Sequence, residues 1–351
     1  MSWLDRFFYA LLVFVPAAVL ANILHASPQT VFILSAIGII PLAKLIGEAT
    51  EEAAYHTGAA VGSLLNVTFG NATELIIGIF ALRAGLIDVV KASIVGSILS
   101  NLLLVLGFAM LFGGWGRVQQ KFNPTAAKTA GSTLLLAMVA LIMPALFVQT
   151  HDSIPLMSDE TLSVAVSVLL IVAYAGGLFF SLKTHQHLYV QDVGKYEPKW
   201  NLATSTAVLI GTTMVVAYLS ELLVGSIEPL VEQFGWSQIF IGVIVLAIIG
   251  NAAEHASAVL VAMRDKMDLA LQIAIGSATQ IGMFVAPILV LLSLFFVKPM
   301  NLIFDFFELA ALILSVLVVN SVVEDGESNW LEGLQLMVAY LIIAIAFFLH
   351  A

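Results

Sequence analysis

The sequence predicts an all-α membrane protein of 11 transmembrane helices, with one peripheral N-terminal helix ahead of two inverted five-helix repeats. Three observations lead there. Of 351 residues, 61% are hydrophobic and only 10% are charged, where soluble domains carry about 25% charged residues. Apolar runs of bilayer length follow one another along the whole chain. One motif also recurs: Gly70-Asn71-Ala72-Thr73-Glu74 matches Gly250-Asn251-Ala252-Ala253-Glu254, 180 residues later. Gly96-Ser97 and Gly276-Ser277 keep the same separation.

The first apolar run, 7–24, follows Asp5 and Arg6. It is longer than the apolar stretch of a signal peptide, and no small-x-small cleavage site follows it. It reads as a retained span within an N-terminal segment, 1–28. Spans at 29–48, 59–82, 89–112, 126–148 and 162–182 make the first repeat, 29–182. The longest polar connection, 183–201, joins it to the second repeat, 202–351. Spans there fall at 202–225, 238–263, 268–295, 306–323 and 330–349. Trp and Tyr near span ends read as interface anchors.

Eleven spans sort the basic residues. Arg6, Lys44, Arg117, Lys121, Lys128, Lys183, Lys195, Lys199, Arg264 and Lys266 fall on one side, and Arg83, Lys91 and Lys298 on the other. The positive-inside rule makes the first side cytoplasmic, with the N-terminus inside and the C-terminus outside. Because each repeat holds five spans, the second enters the membrane in the opposite sense. In inverted repeats of this kind the substrate site lies near the midplane between the halves.

Glu74 and Glu254 lie near the middle of the third and eighth spans, which run antiparallel, so both carboxylates can meet at one depth. No Lys or Arg lies within about one helical turn of either. Carboxylates at lipid depth without a fixed cation are costly, so a proton or a metal cation must neutralise them. Asn71 and Asn251, three residues before each acid, share its helix face. Gly70 and Gly250 permit a helix break or a close approach that frees backbone carbonyls. The following spans add Ser97, Ser100 and Asn101, and Ser277, Thr279 and Gln280. These are hard oxygen donors, which suit Ca²⁺. Zinc or copper would want more His or Cys, and the chain has no cysteine. Proton and metal then compete for the same oxygens, which is an exchange mechanism that needs no ATP. No phosphate-binding loop is present. With a net charge of −10 and 13 Lys+Arg, nothing points to nucleic acid.

Glu48, Glu51 and Glu52 close the second span, and Ser220-Glu221 resembles Thr50-Glu51 as its repeat mate. Glu51 and Glu221 read as gate or proton-coupling candidates in a cation-attracting vestibule, or as solvated helix ends. His255 either tunes Glu254 and senses pH, or simply packs. His185 and His187 read as solvated. Two other classes stay open: a cation channel, and an intramembrane hydrolase, for which no Ser-His or Asp-Asp arrangement stands out.

Leu64 to Glu74, Gly96-Ser97-Ile98-Leu99-Ser100-Asn101-Leu102-Leu103, Gly250 to His255, Gly276 to Ile281 and Asp325 to Gly333 together resemble the calcium/proton exchanger (CAX) family of the calcium/cation antiporter superfamily. The resemblance covers essentially the whole chain. It implies a secondary antiporter that exports cytosolic Ca²⁺ for H⁺, with eleven helices and the first outside a five-plus-five core. It implies that Glu74 and Glu254 hold Ca²⁺ and protons in turn, lined by Asn71, Asn251, Ser97, Ser277 and Gln280. Sodium-coupled calcium exchangers, the alternative, usually have proline before the motif acid; here Thr73 and Ala253 stand there, and His255 follows. The partners implied are Ca²⁺, H⁺ and the lipid bilayer, with a homo-oligomer left open and no cofactor. Many members carry an acidic stretch between the halves, but 183–201 has only Asp192 and Glu197 as acids. The short N-terminus resembles minimal prokaryotic members and implies a cell-membrane location.

Overall fold

The computed structural model describes residues 3–57, 59–150, 156–185 and 198–350. His187, Asp192 and Glu197 lie outside the described residues. Among those described, nine helices are long and apolar enough to cross a membrane: 5–23, 28–57, 87–114, 124–149, 159–184, 202–234, 238–263, 267–293 and 330–349. Two further apolar segments stand beside them. One is the helix Phe306–Val322. The other is a broken pair, α4 (Ala59–Gly70) and α5 (Ala72–Arg83).

The first span is α1 (Trp3–Leu11) and α2 (Phe14–Ile23), bent between them and laid along α3 (Pro28–Thr57). Asp5 of α1 pairs with Lys44 of α3 at 3.0 Å, and Lys44 also pairs with Glu48. The next span is α6 (Ile87–Leu99), a π-helical turn (Ser100–Val105) and α7 (Leu106–Gly114). It is the most buried span and forms the centre of the core. α8 (Pro124–Gln149) and α9 (Leu156–Phe179) follow and pack against each other. The second half runs through α10 (Leu202–Gly225), α11 (Ile227–Phe234) and α12 (Gln238–Phe240). A π-helical turn (Ile241–Leu246) then leads into α13 (Ala247–Met263). α14 (Met267–Gln280), a π-helical turn (Ile281–Val285) and α15 (Ala286–Ser293) follow, then α16 (Phe306–Val322) and α17 (Trp330–Leu349).

Helix starts follow local chemistry. Asn123 caps α8 ahead of Pro124, and Asn201 and Ser237 cap α10 and α12. Asp305 with Glu308, and Asn329 with Glu332, form reciprocal capping boxes on α16 and α17. Each cap satisfies backbone N–H groups that have no intrahelical partner. Between apolar helices in lipid, association rests on close van der Waals packing at small residues. Gly107 and Gly333 bring α7 and α17 into backbone contact in this way. A short ribbon, β1 (Gln120–Lys121) against β2 (Glu327–Ser328), pairs antiparallel between two connections.

One expectation needs correcting. α3 does not close near residue 48; it runs on to Thr57 through alanine-rich turns that favour helix. Glu52 is buried, and its carboxylate accepts from the backbone N–H of Lys199 (3.0 Å) and Trp200 (3.0 Å). It therefore anchors the chain entering α10 and is not a vestibule acid.

Candidate functional site

The two copies of the repeated motif fold differently. Gly70 ends α4, Asn71 breaks the helix at φ −111°, ψ 31°, and α5 starts at once. Glu74 then sits in the first turn of α5, where the helix dipole favours an anion. No such break occurs in the second motif: α13 runs through Gly250, Asn251 and Glu254 without interruption. Gly250 serves for close approach instead. A Cβ there would sit 3.1 Å from Glu74 Oε1, so Glu74 packs on the opposing motif, one turn from Glu254. The two carboxylates lie within reach of each other's charge.

Glu254 Oε2 is buried and accepts no hydrogen bond among the described residues. The ion pairs among those residues are Lys44 with Asp5 and Glu48, Arg117 with Asp265, and Lys121 with Glu327. None reaches Glu74 or Glu254. A cavity of about 620 Å³ ends on Glu254, Thr73, Gly250, Ser277 and Gln280, and Lys44, Glu48, Glu51 and Arg264 lie further out along its walls. Beyond Glu74, toward Ser93, Ile94 and Leu289, the free space is only about 10 Å³, room for a single water at most. The site is thus open on one side and shut on the other.

Behind the carboxylates lies a ring of amides and hydroxyls. Asn71 Nδ2 donates to Gln280 Oε1 (2.6 Å), and Ser277 Oγ donates to Asn71 Oδ1 (3.2 Å). Asn251 Nδ2 donates to Ser97 Oγ (3.0 Å). The pairs Asn71–Ser277 and Asn251–Ser97 are the same residue pairing made twice, each residue being replaced by the one 180 positions away, with the serine donating in the first and accepting in the second. Asn101, on the π-helical turn, bridges both halves of the ring. Its Nδ2 donates to Asn251 Oδ1 (3.0 Å) and to Ser277 Oγ (3.1 Å).

Glu74, Glu254, Asn71, Asn251, Ser97, Ser277 and Gln280 therefore converge on one place. Glu51 lies in the cavity wall. Glu221 does not join them: it lines a separate cavity of about 330 Å³ with Asn22, His25 and Ser226, at the other end of α3. His255 faces away from the open cavity, with Nε2 3.2 Å from Ser100 Oγ. Asn101 counts among the oxygen donors of its span in the sequence, but its bridging role was hidden because Ile281 occupies the equivalent position. Asn101→Leu leaves Asn251 Oδ1 and Ser277 Oγ short of a partner in a buried setting. It should lower stability by roughly 1–3 kcal/mol. Thermal unfolding in detergent checks this, and an unchanged midpoint would remove Asn101 from the ring's support.

A bundle of apolar helices enclosing paired acids and a cavity open on one side defines a multi-pass membrane transporter. The sodium/calcium exchanger protein family matches residues 29–183 and 204–349, and the chain belongs to that family. A Ca(2+)/H(+) antiporter of Synechocystis sp. is 48% identical over 368 residues, covering 100% of this chain and 99% of the relative. The Ca(2+)/H(+) antiporter ChaA of Bacillus subtilis is 44% identical over 353 residues, covering 99% of this chain and 100% of the relative. Among solved structures, native YfkE superposes with a TM-score of 0.86 at 42% identity, covering 97% of this chain and 99% of its own.

Proposed function

We propose that the protein is a secondary antiporter that moves Ca²⁺ out of the cytosol in exchange for H⁺ by alternating access. Glu74 and Glu254 form one pocket that Ca²⁺ and protons occupy by turns. Asn71, Asn251, Ser97, Ser277 and Gln280 line it, Glu51 and Glu221 stand at opposite entrances, and His255 backs the site through Ser100. The observation that carries this reading is the pair of acids on opposed motifs, Glu254 at the cavity end and Glu74 behind it, with no basic partner among the described residues. Such a pair holds together only when a mobile cation or protons neutralise it. The relatives' names, Ca²⁺/H⁺ antiporters at 44–48% identity along their full length, support the choice of ions.

The architecture proposed is eleven spans, with the N-terminal helix (1–28) outside two inverted halves, 29–182 and 202–351, joined by 183–201. The reciprocal contacts Asn71–Ser277 and Asn251–Ser97 are what a two-fold axis in the membrane plane produces. With the ten-residue basic side cytoplasmic, the open cavity at Lys44 and Arg264 faces inward, and the C-terminus lies outside. The shut side carries a close contact, in which Gly96 of α6 lies on the Val243 backbone with no room for a Cβ. Its mate on the open side, Gly276 of α14, has nothing within 4 Å. One half closed and its mate open is the asymmetry that alternating access requires.

The test is tracer Ca²⁺ in reconstituted vesicles. An imposed pH gradient should drive Ca²⁺ toward the acidic compartment. Equal drive by a sodium gradient at uniform pH would overturn the proton assignment, and single-channel current without any gradient coupling would overturn the antiporter reading altogether.

A further inference from the structure

The polar ring is backed by two side chains that lie outside the repeated motifs. Leu170-Ile171-Val172-Ala173-Tyr174 on α9 and Leu336-Met337-Val338-Ala339-Tyr340 on α17 agree at four of five positions. α9 and α17 are the last helices of the two halves. In both segments the leucine and the tyrosine are buried, Tyr174 to 8% exposure and Tyr340 to 3%. The phenol of Tyr174 lies beside the Gln280 side chain, and that of Tyr340 beside Ser100. Ser100 and Gln280 are themselves 180 residues apart. A π-helical turn starts at Ser100 and directly after Gln280, and π turns of this kind recur at functional sites. Each half thus sends its last helix to the same point of the other half's polar ring.

Neither phenol oxygen makes a well-formed hydrogen bond in this state, and Gln280 and Ser100 are the groups close enough to supply one. Burying an unpaired hydroxyl is unfavourable, and phenylalanine would fill either site as well. A chain with 22 phenylalanines keeps the hydroxyl at both. The amide of Gln280 has its oxygen engaged by Asn71 Nδ2, which leaves Nε2 as the group able to donate to Tyr174. An amide whose oxygen coordinates a cation is a stronger N–H donor, because hydrogen bonds and ion contacts on one group polarise each other.

We propose that Tyr174 and Tyr340 are positioning residues of the ion site. Each phenol takes up a hydrogen bond with Gln280 or Ser100 when that residue turns its oxygen to the ion. The two act on opposite sides of the transport cycle. Gln280 lines the cavity open toward Lys44 and Arg264, so Tyr174 serves the inward-open state. Ser100 is wholly buried now, and exchange of the two halves brings it to the cavity end, with Tyr340 behind it. This inference rests on the inverted-repeat exchange reading above.

Tyr174→Phe and Tyr340→Phe remove one oxygen each and leave the ring shape. Ca²⁺ half-saturation is measured in everted membrane vesicles, which present the cytoplasmic face, and in right-side-out vesicles, which present the other. Tyr174→Phe should raise half-saturation roughly three- to tenfold on the cytoplasmic face only, the size of one neutral hydrogen bond. Tyr340→Phe should do the same on the opposite face only. Both variants should unfold at or above the wild-type midpoint, because each loses a buried unpaired hydroxyl. Unchanged half-saturation on both faces, or a loss that follows a lowered unfolding midpoint, would overturn the proposal. A wild type that carries Ca²⁺ with no response to a pH gradient overturns the proton coupling and leaves the two-face comparison valid. A wild type that carries no Ca²⁺ overturns both.

Discussion

Glu74→Gln and Glu254→Gln should each abolish Ca²⁺ movement driven by a pH gradient while the protein stays folded and monodisperse. Glutamine keeps the size of the side chain and one carbonyl oxygen. It removes the negative charge and the exchangeable proton together. Loss of one of two charges that neutralise a divalent ion at contact distance costs at least about 3 kcal/mol even in a screened site, on the order of a hundredfold or more in affinity. The effect on stability runs the other way. Glu254 Oε2 has no hydrogen bond and Glu74 lies within its electrostatic reach, so a neutral amide relieves repulsion in the empty site. Each variant should therefore melt no lower than wild type. Tracer uptake and thermal unfolding on the same preparations check both halves of the expectation. Retention of a tenth of wild-type uptake by either variant would show that one acid suffices and would end the shared-pocket reading.

Much of this architecture is written in the sequence because lipid leaves few options. Apolar runs had to be helices, and the expected spans 238–263 and 330–349 coincide with the helices found. The convergence of Glu74, Glu254, Asn71, Asn251, Ser97, Ser277 and Gln280 was legible from one doubled motif, whose two copies lie against each other in the fold. What stayed hidden is whatever breaks the doubling. Asn101 faces Ile281 in the repeat alignment, so nothing marked it as the bridge. The helix break at Asn71 has no partner at Asn251, and the two motif sequences, alike at four of five positions, carry no mark of that difference. Tyr174 and Tyr340 stand 166 residues apart, off the main period, since the connections within the halves differ in length. Glu52 looked like one of three vestibule acids; its role depends on Lys199 and Trp200, distant in sequence, whose backbone N–H groups it accepts.

Gly276→Ala should hold the transporter open to the cytoplasm. On the shut side, Gly96 rests on the Val243 backbone and Gly242 lies against α6 at Val89, Ala92 and Ser93. The residues 180 positions away are Gly276, Ser63 and Gly62, and α14 supplies Gln272 and Ile273, both now in the wall of the open cavity. Closing that cavity by the mirrored contact sets the backbone of residue 63 on Gly276, where a methyl group would collide with it. Steric overpacking of this kind costs about 1–3 kcal/mol, which lowers the population of the closed state, and the exchange rate with it, roughly five- to 150-fold. In the present state Gly276 has no neighbour within 4 Å, so alanine fits, and its higher helix propensity should raise stability by up to ~1 kcal/mol. Ca²⁺ binding to the purified protein should be unchanged, exchange in vesicles largely lost, and the unfolding midpoint no lower than wild type. Gly211→Ala is the control, since Gly211 is equally free of neighbours and has no place in the mirrored contact. Wild-type exchange by Gly276→Ala would mean that the cytoplasmic side closes by a different contact, and the two-fold relation between gates would have to be abandoned.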